Sequence, residues 1–171
     1  MLIIETGVGI AGAESYASID QADARCASLG VVAWSSPADV DKEIALRKAT
    51  IFMGQNYRMQ WAGRRLLRTQ SLDWPRYGVS VDGFPVLTNT VPPEVVAACI
   101  DLAVRSAAGE ELLPDLEIGN NQVKRERIGP IDTDYFENNT NARERFVAID
   151  AMLEPFFGGA GGGATMKLVR A

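Results

Sequence analysis

Apolar residues recur at helical spacing in four stretches of the chain, each with its own start and stop signals. The first predicted helix runs from Ser18 to Leu29, where Ser18 and Gln21 form a capping box and Gly30 provides the stop. One face of this helix is apolar, and it carries Ile19, Ala22, Cys26 and Leu29. The pattern predicts a helix that packs on a core through a single face.

The second predicted helix has Ser36 as its N-cap and Pro37 at the first helical position, and it continues to about Tyr57. Helical spacing predicts that one stripe of this helix is buried, namely Val40, Ile44, Ala45, Ile51 and Phe52.

Prolines mark the other two predicted helices. The third opens at Pro92–Pro93 and ends before Gly109; it is the most apolar of the four and therefore the expected centre of the core. The fourth covers residues 142–157, with Asn141 as its cap and Pro155 ending or kinking its last turn. Its predicted inward residues are Phe146, Ile149, Leu153 and Phe156.

Two stretches between the helices have extended patterns. Residues 122–136 predict two short strands joined at Gly129–Pro130, a hairpin that must pack on the helices or on a partner. Residues 61–87 have no clear period, but they hold several arginines, glycines and aromatic residues. A long loop of this kind in a compact domain is more often functional than not.

The fold class predicted is mainly α: a small bundle of about four helices with a β-hairpin and an extended C-terminal arm. Residues 1–157 form the predicted helical domain, and residues 158–163 are a glycine-rich linker. Residues 164–171 alternate apolar and polar positions and predict a strand that docks on an exposed edge elsewhere. A frayed tail is the alternative.

Composition and charge narrow the function. The chain has 171 residues, 47% of them hydrophobic and 23% charged, which is ordinary for one globular domain. The formal net charge is −5, and there is no basic tail. Such a balance argues against a protein that gains most of its affinity by neutralising phosphates.

The chain has no histidine. That excludes histidine-activated nucleophiles and histidine-containing zinc sites, and it leaves open only carboxylate or lysine chemistry. Since no metal motif or nucleophile signature is present either, we expect no enzyme, no catalytic residue, no metal and no cofactor. Cys26 and Cys99 lie among apolar neighbours and are expected to be small buried hydrophobes in a reducing compartment. We expect neither a signal peptide nor a membrane span.

Two motifs resemble ligand sites. Residues 7–12 match the Gly-x-Gly-x-x-Gly dinucleotide fingerprint, but the predicted helix starts at Ser18 instead of directly after the glycines, which favours a glycine-rich entry loop. An acidic cluster fails the EF-hand pattern because Arg143 stands where the closing glutamate belongs, which favours a solvated turn. That cluster consists of Asp132, Asp134, Glu137 and Asn138.

The basic residues allow two interpretations. Near Trp61 and Trp74 they could form a surface that stacks bases and binds phosphates of a single strand. They could equally form salt bridges between subunits, and 13 of the 17 basic residues are arginine, which suits interfaces. The clusters are Arg64, Arg65 and Arg68, and Lys124, Arg125 and Arg127.

The order of motifs resembles a known family over nearly the whole chain. The most specific block is Gln-Ser-Leu-Asp-Trp-Pro-Arg at residues 70–76, followed by the Pro92–Pro93 helix start. Other matching features are Trp61-x-Gly-x-Arg65 and the glycine-rich tether before the last four residues. They resemble small proteins encoded among the head and tail genes of long-tailed phages, often described as DnaT-like single-stranded DNA-binding proteins.

The gene setting and helical layout of that family imply a head–tail connector, or adaptor, made in the host bacterial cytoplasm and placed in the neck of the virion. The implied assembly is a ring, commonly of twelve copies, that contacts the portal and a downstream connector, stopper or tail-terminator protein. Genomic DNA would pass through the lumen without sequence-specific binding. The alternative is a DnaT-like single-stranded DNA-binding accessory protein of phage replication.

The residues expected at interfaces come from position and composition. They are Trp61, Arg64, Arg65, Trp74, Arg76, Lys124, Arg125, Arg127, Tyr135, Met166, Leu168, Val169 and Arg170.

Overall fold

The computed structural model describes residues 1–113 and 146–158 in full, and between them the backbone of two strands at 125–128 and 131–134. The chain divides into two units. One comprises residues 1–112 together with the chain from residue 146, and the other comprises residues 113–145.

The described residues contain four α-helices and three antiparallel two-stranded hairpins, so the prediction of a mainly α fold with a β-hairpin is confirmed. The C-terminal arm at 164–171 and all but the first residue of the linker lie outside the described residues. The helices are α1 (Ile19–Leu29), α2 (Asp39–Tyr57), α3 (Pro93–Ala107) and α4 (Val147–Leu153). The hairpins are β1 (Arg64–Arg65) with β2 (Arg76–Tyr77), β3 (Ser80–Val81) with β4 (Phe84–Pro85), and β5 (Arg125–Ile128) with β6 (Ile131–Asp134).

Helix α1 has its predicted bounds, but Leu29, predicted on its packed face, is 59% exposed because it is the last residue before the helix ends. The Ser18 hydroxyl accepts a hydrogen bond from the Gln21 backbone N–H at 3.1 Å, and the Gln21 side chain accepts one from the Ser18 N–H at 2.9 Å. Gly30 takes the left-handed conformation, with φ at 68°, that ends many helices. Local capping chemistry is therefore sufficient to set both ends of α1.

Helix α2 begins at Asp39, not at the predicted Ser36–Pro37 start, and its cap Ala38 makes no side-chain hydrogen bond. The residues before it form a 3₁₀ turn, Val32–Ser35, which holds the buried Trp34. The Trp34 indole N–H donates to the Asp23 carboxylate at 2.7 Å. This contact with α1 fixes the chain ahead of α2, so a tertiary bond overrides the local cap signal.

The buried face of α2 also differs from the predicted one. Ala45 and Phe52 are buried as predicted, but Val40, Ile44 and Ile51 are 68%, 43% and 54% exposed. Helix α2 packs chiefly on α3. The face that packs on α3 mixes small and large residues, and Val40, Ile44 and Ile51 lie outside it. The buried set is Lys42, Ala45, Leu46, Ala49, Thr50, Phe52, Met53 and Tyr57.

Helix α3 confirms its predicted bounds and its place at the centre of the core. Its buried residues are Val95, Ala98, Cys99, Ile100, Leu102 and Ala103. Both cysteines are free and buried, as expected of small hydrophobes. Desolvation raises the pKa of each thiol, which keeps the thiols protonated.

Helix α4 is shorter than predicted, because it starts at Val147 instead of residue 142. Phe146 has non-helical backbone angles and turns its ring into the core, where it packs edge-on against Phe52 with ring centroids 5.2 Å apart. Burial of Phe146 thus takes precedence over extending the helix. All four predicted inward residues of this region are buried, and Pro155 lies in a 3₁₀ turn (Glu154–Phe156) that ends the helix.

The predicted hairpin at 122–136 is confirmed as β5 and β6. Their register pairs Ile128 with Ile131 on either side of Gly129–Pro130. This hairpin belongs to the second unit. The predicted Asn141 cap and the side chains of the acidic cluster lie outside the described residues.

In the described parts of the chain, no helix combines the length and apolarity needed to cross a bilayer. Within the same residues, no group of three or more histidine, cysteine, aspartate or glutamate side chains is arranged to hold a metal ion.

Candidate nucleic-acid interface

Residues 58–87, called the arginine segment below, concentrate positive charge in an acidic protein. The segment holds five arginines and two aspartates, a formal charge of +3, whereas the whole chain has −5. It contains the hairpins β1–β2 and β3–β4, which connect α2 to α3. A local basic region of this kind is where an acidic protein could contact phosphates.

Gln70 organises the first part of the segment. It is buried, and its side-chain carbonyl accepts the Leu67 N–H at 2.7 Å. Its amide donates to the carbonyls of Leu72 at 2.9 Å and Pro75 at 3.0 Å. The half-buried Arg65 guanidinium also donates to the carbonyls of Gln70 and Leu72. Side chains therefore satisfy backbone groups that a loop without regular structure would leave unpaired.

Arg76 does the same for the other end of this loop. Its buried guanidinium donates to the carbonyl of Ala62 at 2.7 Å, of Gly63 at 2.9 Å and of Asp73 at 3.2 Å. Burial lowers the pKa of Arg76, against the pull of Asp73. Arg76 is thus a structural clamp, and its donors are not available to a partner on the surface.

Trp61 and Trp74 lie in the core, where they are 6% and 0% exposed. The two rings meet edge-on with centroids 5.7 Å apart, and Trp74 packs in the same way on Phe156. The indole N–H groups of both tryptophans are buried and have no hydrogen-bond partner among the described residues. The stacking surface suggested from the sequence therefore cannot be built from these two rings.

The exposed aromatic residue beside the arginines is Tyr77. It is 53% exposed, and the Arg64 guanidinium lies over its ring, 5.0 Å from the centroid. Strand β2 alternates, so Arg76 is buried and Tyr77 is exposed. Because β2 has only two residues, its alternation shows no period in the sequence, and the exposure of Tyr77 could not be predicted from it. Arg58, Arg68 and Phe84 are also exposed.

Asp73 is the one acidic group of the segment that is buried, with its side chain 6% exposed. Its backbone N–H donates to the Tyr16 hydroxyl at 3.0 Å, as does that of Trp74 at 3.3 Å. The nearest cation to its carboxylate is Arg58, whose Nε lies 4.0 Å away. Burial raises the pKa of Asp73, and the arginines at 58, 65 and 76 oppose that rise.

The glycine-rich loop at residues 7–12 encloses an anion that the chain itself supplies. The buried Glu5 carboxylate accepts the N–H groups of Gly7 at 2.8 Å, Gly9 at 2.9 Å and Ile10 at 2.7 Å. Helix α1 starts well beyond the loop, at Ile19. The donors that would face a pyrophosphate are occupied, which agrees with the interpretation as a glycine-rich entry loop.

The chain matches a known protein family over its whole length. The family model described as "Putative DnaT-like ssDNA binding protein" matches residues 1–171. The chain belongs to this family. No curated protein matches this DnaT-like chain, and no solved structure does.

Four of the remaining expected interface residues fall in the second unit, and the other four belong to the C-terminal arm at 164–171. Arg125 and Arg127 lie on β5, where the backbone register pairs them with Asp134 and Asp132. Their side chains lie outside the described residues. The same is true of Lys124, Tyr135, Met166, Leu168, Val169 and Arg170.

Proposed function

We propose that the chain binds single-stranded nucleic acid through the arginine segment. The observation that carries the proposal is the exposed pair of Arg64 and Tyr77, with the guanidinium 5.0 Å from the ring centroid. An exposed ring can stack on a base, and a guanidinium over one of its faces can bind a phosphate of the same strand. Membership in a DnaT-like family agrees with this function.

The charge distribution supports a local contact. Arg58, Arg64 and Arg68 are exposed in the arginine segment, whereas Arg65 and Arg76 are committed to backbone carbonyls. Three exposed guanidinium groups on one segment can neutralise a few phosphates of a single strand. The acidic remainder of the chain would repel the flanking nucleic acid, which predicts a short binding site and a modest salt dependence.

The test is fluorescence anisotropy of a labelled strand of about 16 nucleotides, measured over a salt series. The wild-type chain should bind the strand, with affinity falling as salt rises. Arg64→Gln should reduce the slope of log affinity against log salt by about 0.7, the value for one lost phosphate contact on a single strand. Lys48→Gln, which removes one exposed positive charge from α2, is the matched control and should leave the slope unchanged.

Tyr77→Ala separates stacking from charge. The loss of one stacked base should weaken binding by about 1–3 kcal/mol at every salt concentration, without changing the slope. A wild-type chain that fails to bind the strand at low salt would overturn the proposed function.

A second candidate, the head–tail connector subunit, is favoured by the exposed row on α2. Val40, Ile44 and Ile51 share one face of the helix and are exposed in the free chain. A ring subunit needs such apolar area for contacts with its neighbours. Portal protein and a downstream connector, stopper or tail-terminator protein would be its partners in the virion neck.

Mass photometry of the chain, alone and with portal protein, tests the connector candidate. A connector should form a ring on the portal, commonly of twelve copies, and should bind the labelled strand weakly. A single-stranded nucleic-acid binder should remain separate from the portal. Both candidates are binding functions and assign the chain no chemical step.

A further inference from the structure

A groove beside α2 leads to the buried carboxylate of Asp73. It has a volume of about 430 Å³ and lies between α2, the loop around Tyr16 and the loop at residues 71–73. Binding sites for small organic groups range from roughly 300 to 1,000 Å³, so the groove can hold one nucleobase. Ile51 and Leu72 provide apolar walls, while Gln55, Arg58, Ser71 and Asp73 provide polar groups.

The Asp73 carboxylate accepts no hydrogen bond from any described residue, although its side chain is only 6% exposed. The nearest cation, Arg58, is 4.0 Å from it, which is too long for a hydrogen bond, and the Arg58 side chain is 59% exposed. The Asp73 oxygens are not among the fully buried, unpaired polar atoms of the described residues, so they can be reached from the groove. An acceptor that has lost part of its hydration and receives no donor from the chain gains when a ligand brings donors.

The surrounding structure holds Asp73 in place. Tyr16, itself 3% exposed, accepts the Asp73 backbone N–H, and the Arg76 guanidinium donates to the Asp73 carbonyl. The backbone on both sides of the carboxylate is therefore fixed before any ligand arrives. A preorganised acceptor in a groove is the arrangement expected of a recognition site, not of a loop that can rotate away.

The chemistry of the carboxylate selects among the bases. An ionised carboxylate offers two acceptor oxygens and no donor, so it pairs with a ligand edge that presents two neighbouring donors. Among the four DNA bases, only guanine has two adjacent donors, N1–H and N2–H, on its Watson–Crick edge. Recognition of unstacked bases through that edge is common in single-strand binding.

We propose that the groove binds an unstacked guanine, whose N1–H and N2–H donate to the two oxygens of Asp73. The ring lies between Ile51 and Leu72, and the exposed Arg58 turns from Asp73 to the phosphate of the same nucleotide. The inference rests on the proposed binding of single strands, and it adds a base preference to that function.

The test compares short thymidine strands that differ only at one central nucleotide: deoxyguanosine, deoxyinosine, deoxyadenosine or thymidine. Wild-type chain should bind the guanine strand about tenfold more tightly than the other three. Inosine is the decisive base, because it lacks only the N2 donor. This comparison uses only the wild-type chain, so it does not depend on whether a variant folds.

Asp73→Asn should bind the guanine strand no more tightly than the inosine strand, since its amide presents one donor and one acceptor and cannot accept both N1–H and N2–H of guanine. Asp82→Asn is the matched control, because Asp82 is an exposed aspartate of the same segment with a positive φ of 53° that asparagine tolerates. That variant should keep the guanine preference.

Equal binding of all four strands by wild type would overturn the guanine site while leaving the proposed function intact. Absence of binding to every strand would overturn both. A guanine preference that survives Asp73→Asn would show that another group reads the base, and it too would overturn the inference.

Discussion

Two buried carboxylates in the same unit differ in the hydrogen bonds that they accept. Glu5 is 2% exposed and accepts three backbone N–H groups of the glycine-rich loop, all within 2.9 Å. Asp73 is 5% exposed and accepts no hydrogen bond from the described residues. The Glu5 carboxylate therefore holds the glycine-rich loop, whereas the Asp73 carboxylate lines a groove.

The difference shows how a buried charge can be assigned to structure or to binding. A carboxylate whose acceptor sites are filled by the chain stabilises the folded state and has little left for a ligand. A carboxylate that is fixed but has no donors costs stability, and it gains most when a ligand brings donors. Substitutions at the two positions should therefore have opposite consequences.

The largest expected effect is at Glu5. Glu5→Ala leaves three N–H groups, two of them buried, without an acceptor and should lower the free energy of unfolding by about 3 kcal/mol. Glu5→Gln, which keeps an acceptor oxygen but loses the charge, should cost about 1 kcal/mol. Urea denaturation followed by circular dichroism measures both. Loss of less than about 0.5 kcal/mol in Glu5→Ala would contradict the structural role of the carboxylate.

The matching change at Asp73 should cost nothing. Asp73→Asn removes a buried charge that receives no hydrogen bond, so the free energy of unfolding near neutral pH should stay within about 1 kcal/mol of wild type or rise. The same urea experiment measures it. A loss as large as that of Glu5→Ala would mean that the folded chain supplies Asp73 with a partner after all.

The free energy of unfolding should depend on pH in a direction that the Asp73 carboxylate sets. Burial raises the pKa of Asp73 above its usual value of 3.8, so the folded state takes up the proton more readily than the unfolded state. Stability from this group therefore falls as pH rises from 3.8 through the raised pKa. The stability of Asp73→Asn relative to wild type should grow over that interval in urea unfolding at several pH values.

The pKa of Glu14 is shifted in the opposite direction from that of Asp73. The Arg47 hydrogen bond lowers the pKa of Glu14 in the folded state, so this acid stabilises the fold at neutral pH and loses that contribution as pH falls through its lowered pKa. The stability advantage of wild type over Glu14→Gln should shrink on acidification. Parallel pH profiles for the two variants would contradict the assignment of the shifts.

The smallest effect on folding is expected on α2. Ile44→Ser and Ile51→Ser replace exposed side chains and should change the free energy of unfolding by no more than about 0.5 kcal/mol each. If the connector candidate is right, the same changes should abolish ring formation in mass photometry. If the chain acts as a monomer, the measured mass should not change.

The sequence predicted most of the helical fold because local signals were strong where α1 and α3 begin and end. The Ser18–Gln21 capping box and the Pro92–Pro93 start are short-range features, and the structure contains both. The predictions for α2 were wrong because contacts with other parts of the chain set its start and its buried face. The bond from Trp34 to Asp23 shifts the start of α2, and close packing on α3 selects which face of α2 is buried.

The proposed site uses Arg64, which the sequence analysis placed at an interface, but it also uses residues that the sequence analysis did not name. The loop at 61–87 was identified as functional from its arginines and aromatic rings, yet Trp61 and Trp74 are in the core and Arg76 is a clamp. No period in the sequence marks which rings of an irregular loop turn inward. The open carboxylate of Asp73 depends on Tyr16, which is 57 residues away, so only the folded chain reveals it.

The most direct test of the account measures Glu5→Gln and Asp73→Asn side by side, for the free energy of unfolding and for affinity to the guanine-containing strand. The account predicts that Glu5→Gln loses stability and keeps the guanine preference, whereas Asp73→Asn keeps stability and loses the preference. Two variants that lose stability alike and bind alike would contradict it, because the two carboxylates would then serve the same structural purpose.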